Sequence, residues 1–381
     1  MDEIKVLEKS EFDELIEFLN KIFKKDMEKE YCHVFRCDDE KFMKNSLIIK
    51  DKGKIIAHIG IFPMKIIVQG NILNCGGIGG VSTDDAYRGH GLMTKLINAA
   101  ILEMKKRKYE ISFLWGDRKR YGNFGWEIGG RRVLYTLSKR SVLVYPAIKT
   151  RIRKYDGEQK DLQKMMRMHE KEIFNVKHTK RDYNLVFNRK KHETYLAVQD
   201  NQILSYLTLT GEGNTRKIQE YGGMSTSLSD IIKYLFEIYN LESLTACSPY
   251  VFSCLSNVIL KGATSYEIHP IAKVKILNLK STLSKFLPQM QIKRDELNSR
   301  ISGVVTLEMW ETDQNVTLDI GRKIKIIDKE VQNKVALNEH EMVRLLFGLM
   351  SPSKMFDFSK AGPVLDTIFP LDFYISELDM V

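Results

Sequence analysis

One stretch of the chain, residues 81–94, combines residue types that suit the binding of a phosphorylated ligand. Its turn, at residues 88–91, has the sequence Arg-Gly-His-Gly and immediately precedes a segment with helical periodicity. The first turn of a helix presents N–H groups without intrahelical partners at the positive end of the helix dipole, and both features favour a pyrophosphate. Gly89 and Gly91 lack a Cβ atom, so the backbone can approach such a ligand closely, and Arg88 could add a positive charge.

The elements on both sides must position this turn. Before it, residues 71–83 have the composition of a strand, and Val81 and Thr83 share a side-chain direction. The backbone polar groups of this strand can pair with an extended amide-bearing arm such as pantetheine. After the turn, apolar residues recur at helical spacing and predict a long amphipathic helix. They are Leu92, Met93, Leu96, Ile97, Ala100, Ile101 and Met104.

Other phosphate-binding motifs fit this region less well. A P-loop needs Gly-x-x-x-x-Gly-Lys-Ser/Thr, and the chain has no such run. The glycine cluster at residues 76–80 does not complete Gly-x-Gly-x-x-Gly, because position 82 is Ser. By itself the turn at residues 88–91 is equally compatible with an ordinary helix start, and the flanking strand and helix favour the binding interpretation.

Patterns along the chain indicate a mixed α+β protein with three segments: residues 1–140, 141–284 and 285–381. In the first, strands and helices alternate, with hairpins turning at residues 51–53 and 69–70. The second has a similar order of elements, but no Arg-x-x-Gly turn precedes its helix at residues 227–239. The third has two alternating strands and a helix that Asn338 caps, and its apolar tail from Gly362 onward is predicted to dock into the protein.

Composition narrows the class of protein. The chain has 381 residues, with 43% hydrophobic and 28% charged, which is typical of a folded multidomain protein. The net charge of +10 comes from lysines and arginines spread along the chain, without a nucleic-acid recognition motif. The five cysteines have no short paired spacing, and no histidine has metal-ligand spacing. We expect a cytoplasmic protein with reduced thiols, no metal, no nucleic-acid partner and no membrane span.

The strand, the Arg-Gly-His-Gly-Leu-Met run and the helix resemble the acetyl-CoA signature of GNAT acetyltransferases, Arg/Gln-x-x-Gly-x-Gly/Ala. Met93 stands where the family usually has Gly or Ala, but the backbone donors do not depend on that side chain. More narrowly, the chain is similar to the enhanced-intracellular-survival (Eis) acetyltransferases. Their layout implies a GNAT domain at residues 1–140, a second GNAT-like domain without the signature at 141–284, and a sterol-carrier-protein-like domain at 285–381.

The resemblance also implies site residues. Acetyl-CoA would be held, without a metal, by Val81, Ser82, Thr83, Arg88, Gly89, His90, Gly91, Leu92, Met93 and Thr94, with Gly116 and Asp117 near its arm. The run Tyr-Gly-x-Phe-Gly-Trp at residues 121–126 resembles the family run whose tyrosine is the general acid, which assigns that role to Tyr121. The family's general base is the terminal carboxylate, which here belongs to Val381. Glu377 and Asp379 are either charges that attract a cationic amine or solvent-exposed tail residues.

The resemblance implies an N-acetyltransferase whose acceptor is a primary amine: an aminoglycoside, a polyamine or a lysine-like group. Members of the family are often multimeric, so a homo-oligomer is expected. A second hypothesis is a non-catalytic acyl-CoA or lipid-binding protein, because Met93 departs from the motif and the C-terminal segment resembles a lipid carrier. A nucleic-acid-binding protein is a third hypothesis, which has only the net charge in its favour.

Overall fold

Strands and helices alternate along most of the chain. The computed structural model describes residues 3–31, 34–189, 191–358 and 361–379. Its strands are β1 (Lys5–Val6), β2 (Ser46–Asp51), β3 (Lys54–Val68), β4 (Asn71–Thr83), β5 (Ile111–Leu114), β6 (Glu127–Ser138), β7 (Arg151–Lys154), β8 (Phe174–Val176), β9 (Glu193–Gln199), β10 (Gln202–Thr210), β11 (Thr215–Gly223), β12 (Ser243–Pro249), β13 (Ala263–Ile276), β14 (Gly303–Met309), β15 (Gln314–Ile320), β16 (Ile324–Ile327) and β17 (Lys334–Leu337). Its helices are α1 (Phe12–Phe23), α2 (Met27–Glu30), α3 (Glu40–Lys44), α4 (Leu92–Lys106), α5 (Arg118–Gly122), α6 (Gln159–His169), α7 (Lys180–Phe187), α8 (Ser225–Ile238), α9 (Ser256–Gly262), α10 (Leu279–Glu296), α11 (Glu339–Phe347), α12 (Pro352–Met355) and α13 (Gly362–Asp366).

The chain divides into two compact units, each built from separate stretches of sequence. Among the described residues, the first unit comprises those up to residue 130 and those from 272 to 371, and the second comprises those from 131 to 271 and from 372 to 379. This grouping reflects contact density and does not test the three-domain division at residues 140 and 284, which stays a prediction.

The first unit contains a mixed sheet in the order β1-β2-β3-β4-β5-β13. Neighbours are antiparallel except for β4 and β5, which run parallel. The hairpins predicted at residues 51–53 and 69–70 are both present, as β2–β3 and β3–β4. Helix α4 connects β4 to β5, and its apolar stripe, including Leu92, Leu96 and Ala100, is buried in a cluster with residues of β2, β3 and β4. This crossover brings the start of α4 next to the end of β4.

A second, four-stranded sheet in the first unit has the order β16-β15-β14-β17. Helix α11 follows β17 and begins with the predicted Asn338 cap, which forms a capping box with Glu341. The long helix α10 was not predicted, because its apolar residues show little periodicity and it contains Pro288. Asn278 caps it by accepting a hydrogen bond from the Ser281 backbone.

The second unit contains a mixed sheet in the order β6-β12-β11-β10-β9-β7. Strands β11 and β12 run parallel with α8 between them in sequence, so this unit repeats the order seen in β4, α4 and β5. Only Met224 separates β11 from α8, whereas eight residues, 84–91, separate β4 from α4. The second unit therefore has no loop that corresponds to the glycine turn.

The observed architecture is mixed α+β, as predicted, and it comprises mixed sheets flanked by helices and a second, smaller sheet. The C-terminal segment is docked as expected, since residues 368–376, Leu378 and Asp379 are buried. Helix α1 begins at Phe12, directly after a 3-10 turn that Glu8 and Glu11 cap. Among the described helices, none has the length and hydropathy needed to cross a bilayer. The described cysteines are free thiols.

Candidate functional site

Strands β4 and β5 pair over a short distance and then separate. Their parallel register covers Cys75 to Gly77 on β4, opposite Ile111 to Phe113 on β5. Strand β4 continues to Thr83 while remaining paired with β3 on its other side. The edge of β4 from residue 78 to residue 83 therefore has no β5 partner. Its backbone N–H and C=O groups can pair with an extended ligand, as an additional strand would.

A β-bulge interrupts β4 within this open edge. In the β3–β4 pair, His58 is opposite Ser82 and Gly60 is opposite Gly79. Two residues of β4, Gly80 and Val81, therefore face the single residue of β3 that lies between His58 and Gly60. Gly80 has φ +61°, in the left-handed region that glycine tolerates. The bulge bends β4 just before Val81, Ser82 and Thr83, so it determines how those residues present their backbone groups.

His58 holds the bulge from inside the core. Its Nδ1 atom lies 2.8 Å from the Gly80 carbonyl oxygen, which also accepts a hydrogen bond from Ser82 Oγ at 3.1 Å. Because the carbonyl can only accept, Nδ1 carries the proton, and Nε2 is buried without a partner. Burial lowers the pKa of His58 to about 4, against the smaller opposing effect of the Gly80 hydrogen bond. The ring is therefore neutral at physiological pH.

The loop between β4 and α4 is held by polar side chains at its start and is open at its end. Asp84 accepts a hydrogen bond from the Ala86 backbone and pairs with Lys21 at 2.8 Å, and Tyr87 donates to Asp51 at 2.8 Å. Further along, the φ angles of Gly89 and Gly91 are +82° and +74°. A Cβ atom added to either glycine would meet nothing within 4 Å, so the space beside the turn is open.

The start of α4 has the features of an anion site. Its cap, Gly91, contributes no side-chain hydrogen bond, and the first turn contains no acidic residue. The N–H groups of that turn and the helix dipole are thus available to a negative charge. Leu92 is buried and Met93 packs against the same hydrophobic cluster. Met93 is partly buried, and its presence in place of Gly or Ala leaves the backbone donors in place.

Tyr121 packs near the end of β5, the strand that separates from β4. Tyr121 lies on α5, and the Asp117 side chain caps that helix by accepting from the Arg120 backbone at 2.7 Å. An added Cβ on Gly116 would meet the Tyr121 ring, with Cδ2 at 2.9 Å, so only glycine permits this packing. Tyr121 belongs to the hydrophobic cluster against which Val81 and Met93 pack, and it is 8% exposed. This cluster places the phenol in the same part of the unit as the end of β4 and the start of α4.

Burial raises the pKa of the Tyr121 phenol above its usual value, and the smaller effect of the Arg120 charge acts in the opposite direction. The phenol is therefore protonated at neutral pH and can donate a proton.

The turn after Tyr121 is fixed by a buried ion pair. Gly125 has φ +84°, and an added Cβ would collide with Glu339 and lie 2.5 Å from Lys275 Nζ. Lys275 and Glu339 form an ion pair, and the indole Nε1 of Trp126 is buried without a partner. Next along the chain, the buried Glu127 accepts two hydrogen bonds from Arg118, at 2.6 and 2.7 Å. The Arg118–Glu127 pair thus joins the two ends of the segment that carries Tyr121, and the Lys275–Glu339 pair lies against its Gly125.

Comparisons with known proteins agree with this geometry. Residues 3–129 match the family model for the acetyltransferase (GNAT) domain, and this range contains β4, α4, β5 and Tyr121. This part of the chain is therefore similar to the domain of GNAT-family N-acetyltransferases. Over 117 residues it is 28% identical to the N-acetyltransferase YhbS of Escherichia coli K12, a match that covers 30% of this chain and 68% of YhbS. The acyl donor of GNAT enzymes is an acyl-CoA.

Solved structures extend the likeness in fold to almost the whole chain. A probable N-acyltransferase from Enterococcus faecalis is 16% identical, covers 98% of this chain and 99% of its own, and has a TM-score of 0.73. A GCN5-related N-acetyltransferase from Kribbella flavida is 13% identical, covers 100% and 98%, and has a TM-score of 0.73. Eis1 from Mycobacterium abscessus is 10% identical, covers 97% of both chains, and has a TM-score of 0.67. These proteins share the fold of this chain.

The structure brings together most of the residues predicted from sequence, but two side chains point elsewhere. The Arg88 guanidinium is 67% exposed and pairs with Asp85 at 2.7 Å, rather than facing the turn. His90 is exposed, and its Nδ1 lies 3.2 Å from the Tyr87 carbonyl oxygen. The backbone atoms of both residues still belong to the glycine turn. Val381 lies outside the described residues.

The two tail carboxylates are neither exposed nor uncompensated. Glu377 pairs with Arg132 and Lys217, and Asp379 pairs with His178. Of the two alternatives, solvent-exposed tail charges are therefore wrong, because Glu377 is buried beside Arg132 and Lys217 and Asp379 is buried beside His178.

Sequence reasoning missed the residues that shape the open edge. No role was given to His58, and the glycine cluster at residues 76–80 was examined only as a failed dinucleotide motif. A glycine within a β-branched strand can signal a bulge, and Gly80 fits that rule. His58 carries no comparable local signal, since its partner is 22 residues away.

The glycine turn can be tested with a variant matched for backbone strain. Gly89→Ala and Gly70→Ala both place a side chain at a φ near +80° in open space, so both should destabilise the protein by about 1 kcal/mol. Only Gly89→Ala should weaken acetyl-CoA binding, by at least about fivefold, because its methyl group narrows the anion site. Calorimetry of acetyl-CoA binding measures the difference. Equal affinities in the two variants would exclude this turn as the diphosphate site.

The His58 bulge predicts a specific dependence of stability on pH. Since the folded pKa is about 4, against about 6.5 unfolded, the stabilisation is complete above pH 6.5 and is lost as pH falls towards 4. The loss reaches about 3 kcal/mol at pH 4. His58→Asn keeps an amide donor for Gly80 but cannot titrate, so its free energy of unfolding should fall less over this range. Urea unfolding of both proteins at several pH values measures this, and parallel curves would refute the assignment.

Proposed function

We propose that the protein is an acetyl-CoA-dependent enzyme that acetylates a primary amine by direct attack, with Tyr121 as general acid and the Val381 carboxylate as general base. The acceptor is an aminoglycoside, a polyamine or a lysine-like amine. The observation that carries the proposal is that the open edge of β4, the free N-terminus of α4 and a buried protonated tyrosine occur together in the first unit.

Backbone groups carry most of the proposed contacts to acetyl-CoA. The N–H groups of residues 89–94 would hold the diphosphate at the start of α4, with Arg88 adding long-range positive charge. The backbone of Val81, Ser82 and Thr83 would pair with the amides of the pantetheine arm. Gly116 and Asp117, at the end of β5, would flank the arm on the opposite side. Bound in this way, acetyl-CoA supplies an electrophilic thioester carbonyl.

Tyr121 has the properties of the acid in this reaction. A departing thiolate needs a proton, and a phenol whose pKa is raised by burial keeps its proton at neutral pH. The packing of its ring on Gly116 fixes the position of the hydroxyl relative to the end of β5. Asp117 assists indirectly, since it caps the helix that carries Tyr121.

The base is assigned to the terminal carboxylate of Val381 by resemblance to the Eis family. The described part of the tail supports the assignment, because residues up to Asp379 are held in the second unit by buried charge pairs. A carboxylate at the end of such a segment can take a proton from the acceptor's ammonium group, so that the neutral amine attacks the thioester carbonyl.

The proposal also assigns the second and the third domain of the chain. The order β11, α8, β12 in the second unit supports a second GNAT-like domain without the cofactor turn, and the four-stranded sheet with α10 and α11 supports a sterol-carrier-protein-like domain. The similarity of fold to Eis1 over 97% of both chains is in line with this organisation. We also propose that the enzyme acts in the cytoplasm and assembles as a homo-oligomer.

Replacing Tyr121 with phenylalanine tests the acid. Tyr121→Phe should lower kcat by about a hundredfold or more, the usual contribution of a general acid, while the Kd of acetyl-CoA changes less than about twofold. Tyr109→Phe is the control, because Tyr109 is another tyrosine of the first unit whose pKa burial raises. Thiol release with an amine panel measures turnover. An unchanged kcat in Tyr121→Phe would remove the acid role, and silence of the unmodified enzyme across the panel would favour a non-catalytic acyl-CoA-binding protein.

Extending the chain tests the base. Two residues, Gly-Ser, added after Val381 would move the terminal carboxylate by up to about 7 Å. The extended protein should bind acetyl-CoA normally but lose most of its kcat, since the base no longer reaches the amine. The same dipeptide added before Met1 is the control and should have no effect. Full activity of the C-terminally extended protein would contradict the assignment of Val381.

A further inference from the structure

The second unit contains its own pair of parallel strands that separate. Strands β11 and β12 pair from Thr215 to Ile218 and from Ser243 to Ala246, respectively. Beyond that point β11 continues to Gly223 and β12 to Pro249. This is the arrangement that leaves the edge of β4 open in the first unit, and it would likewise leave backbone groups without a strand partner.

In the second unit the chain's own C-terminal segment occupies this separation. Ser376 Oγ donates to the Gln219 carbonyl oxygen on β11 at 3.2 Å, and the Tyr374 hydroxyl donates to the Cys247 carbonyl oxygen on β12 at 3.4 Å. Gln219 and Cys247 are the residues that immediately follow the last paired residues of the two strands. The segment thus hydrogen-bonds to the first carbonyl group on each strand after pairing ends.

Charge pairs fix the segment on both sides of these contacts. Before them, Asp372 forms a two-point pair with Arg131, at 2.7 and 2.8 Å. After them, Glu377 lies 2.8 Å from Arg132 and 2.6 Å from Lys217.

The last described residues, Leu378 and Asp379, are held by side chains of the second unit. The Asp379 side chain is 2% exposed and lies 2.6 Å from His178 Nε2. The Leu378 carbonyl oxygen accepts from Arg189 at 3.2 Å, and the Leu378 side chain is buried in a cluster with Leu162 and Tyr183. A buried carboxylate that loses its cation is strongly destabilised, so these pairs hold the segment in one path.

We propose that the second unit functions as a clamp for residues 374–379, and that His178, Lys217 and Arg132 are positioning residues for the chain terminus. The strand separation that serves an acyl-CoA arm in the first unit serves a peptide of the same chain in the second. Residues 374–376 lie where the strands separate, at the position on β11 and β12 that corresponds to the proposed place of the coenzyme arm on β4. Its catalytic consequence rests on the proposed role of the Val381 carboxylate, because a base must be held in a fixed position to act.

The clamp can be tested in the full-length enzyme by loosening one charge pair at a time. His178→Leu removes the partner of Asp379, His178→Gln keeps a hydrogen-bond donor near Nε2, and Lys217→Met removes one of the two cations at Glu377. Lys154→Met is the control for Lys217→Met, since it breaks a lysine–carboxylate pair with Glu193 in the same unit away from the tail. Melting temperatures show which variants are folded.

Two measurements then report on the chain end. Carboxypeptidase Y, with mass spectrometry, gives the rate at which Val381 and Met380 are released, which follows the population of the opened tail. Steady-state kinetics and calorimetry give kcat and the Kd of acetyl-CoA. We expect release about tenfold faster and kcat about tenfold lower in His178→Leu, a smaller effect in His178→Gln and Lys217→Met, and a Kd within about twofold throughout.

The outcomes separate the clamp from the proposed base. Release at the unmodified rate in folded His178→Leu and Lys217→Met, or equal acceleration in Lys154→Met, would overturn the clamp. Faster release with unchanged kcat would support the clamp and contradict the role of the Val381 carboxylate. If His178→Leu does not fold, the comparison of Lys217→Met with Lys154→Met tests the clamp by itself. Lys217→Met is expected to fold, because Arg132 still pairs with Glu377 in that variant.

Discussion

The site depends on two parallel strands that pair for three residues and then separate. Where β4 and β5 are paired, the contact is tight: Ser112 donates to the Gly76 carbonyl oxygen at 2.6 Å, and a Cβ on Gly76 would collide with Met104 of α4. Close packing at this end anchors both strands, and beyond it each follows a different neighbour. Backbone groups on the free edge of β4 must find partners in solvent or in a ligand, and this requirement makes the edge a binding surface.

The rest of the first unit keeps that edge in one conformation. The buried neutral His58 holds the bulge at Gly80, and Asp84 and Tyr87 fix the loop that leads to the glycine turn. The core residues of α4 hold the helix start while leaving its N–H groups exposed. Preorganised backbone donors need no rearrangement when a charged ligand arrives, which favours both binding and catalysis. A site made mostly of backbone atoms tolerates Met93, because its donors do not depend on that side chain.

The second unit uses similar strand geometry for a different purpose. It has no glycine turn between β11 and α8, and Gly223 is so close to Leu204 and Ser205 that no side chain fits there. A peptide of its own chain hydrogen-bonds to one carbonyl oxygen on each strand at the point of separation. Parallel strands that separate can thus bind different partners in the two units. The first unit has a turn of exposed N–H groups beside its strands, whereas the second has cationic side chains placed against a carboxylate-rich tail.

The local pattern of the sequence determined the glycine turn, helix α4, both hairpins and the Asn338 cap, because hydrophobic periodicity, turn residues and caps act over a few neighbouring residues. It also indicated a mixed α+β fold and a docked tail. It did not indicate α10, whose apolar residues lack a clear period, or the pairing of His58 with Gly80. Only the tertiary structure decided that β4 and β5 separate after Gly77, that the Arg88 side chain turns to Asp85, and that Glu377 and Asp379 are buried beside cations more than a hundred residues away in sequence. Contacts of that kind arise from the packing of distant segments, and no short stretch of sequence carries their pattern.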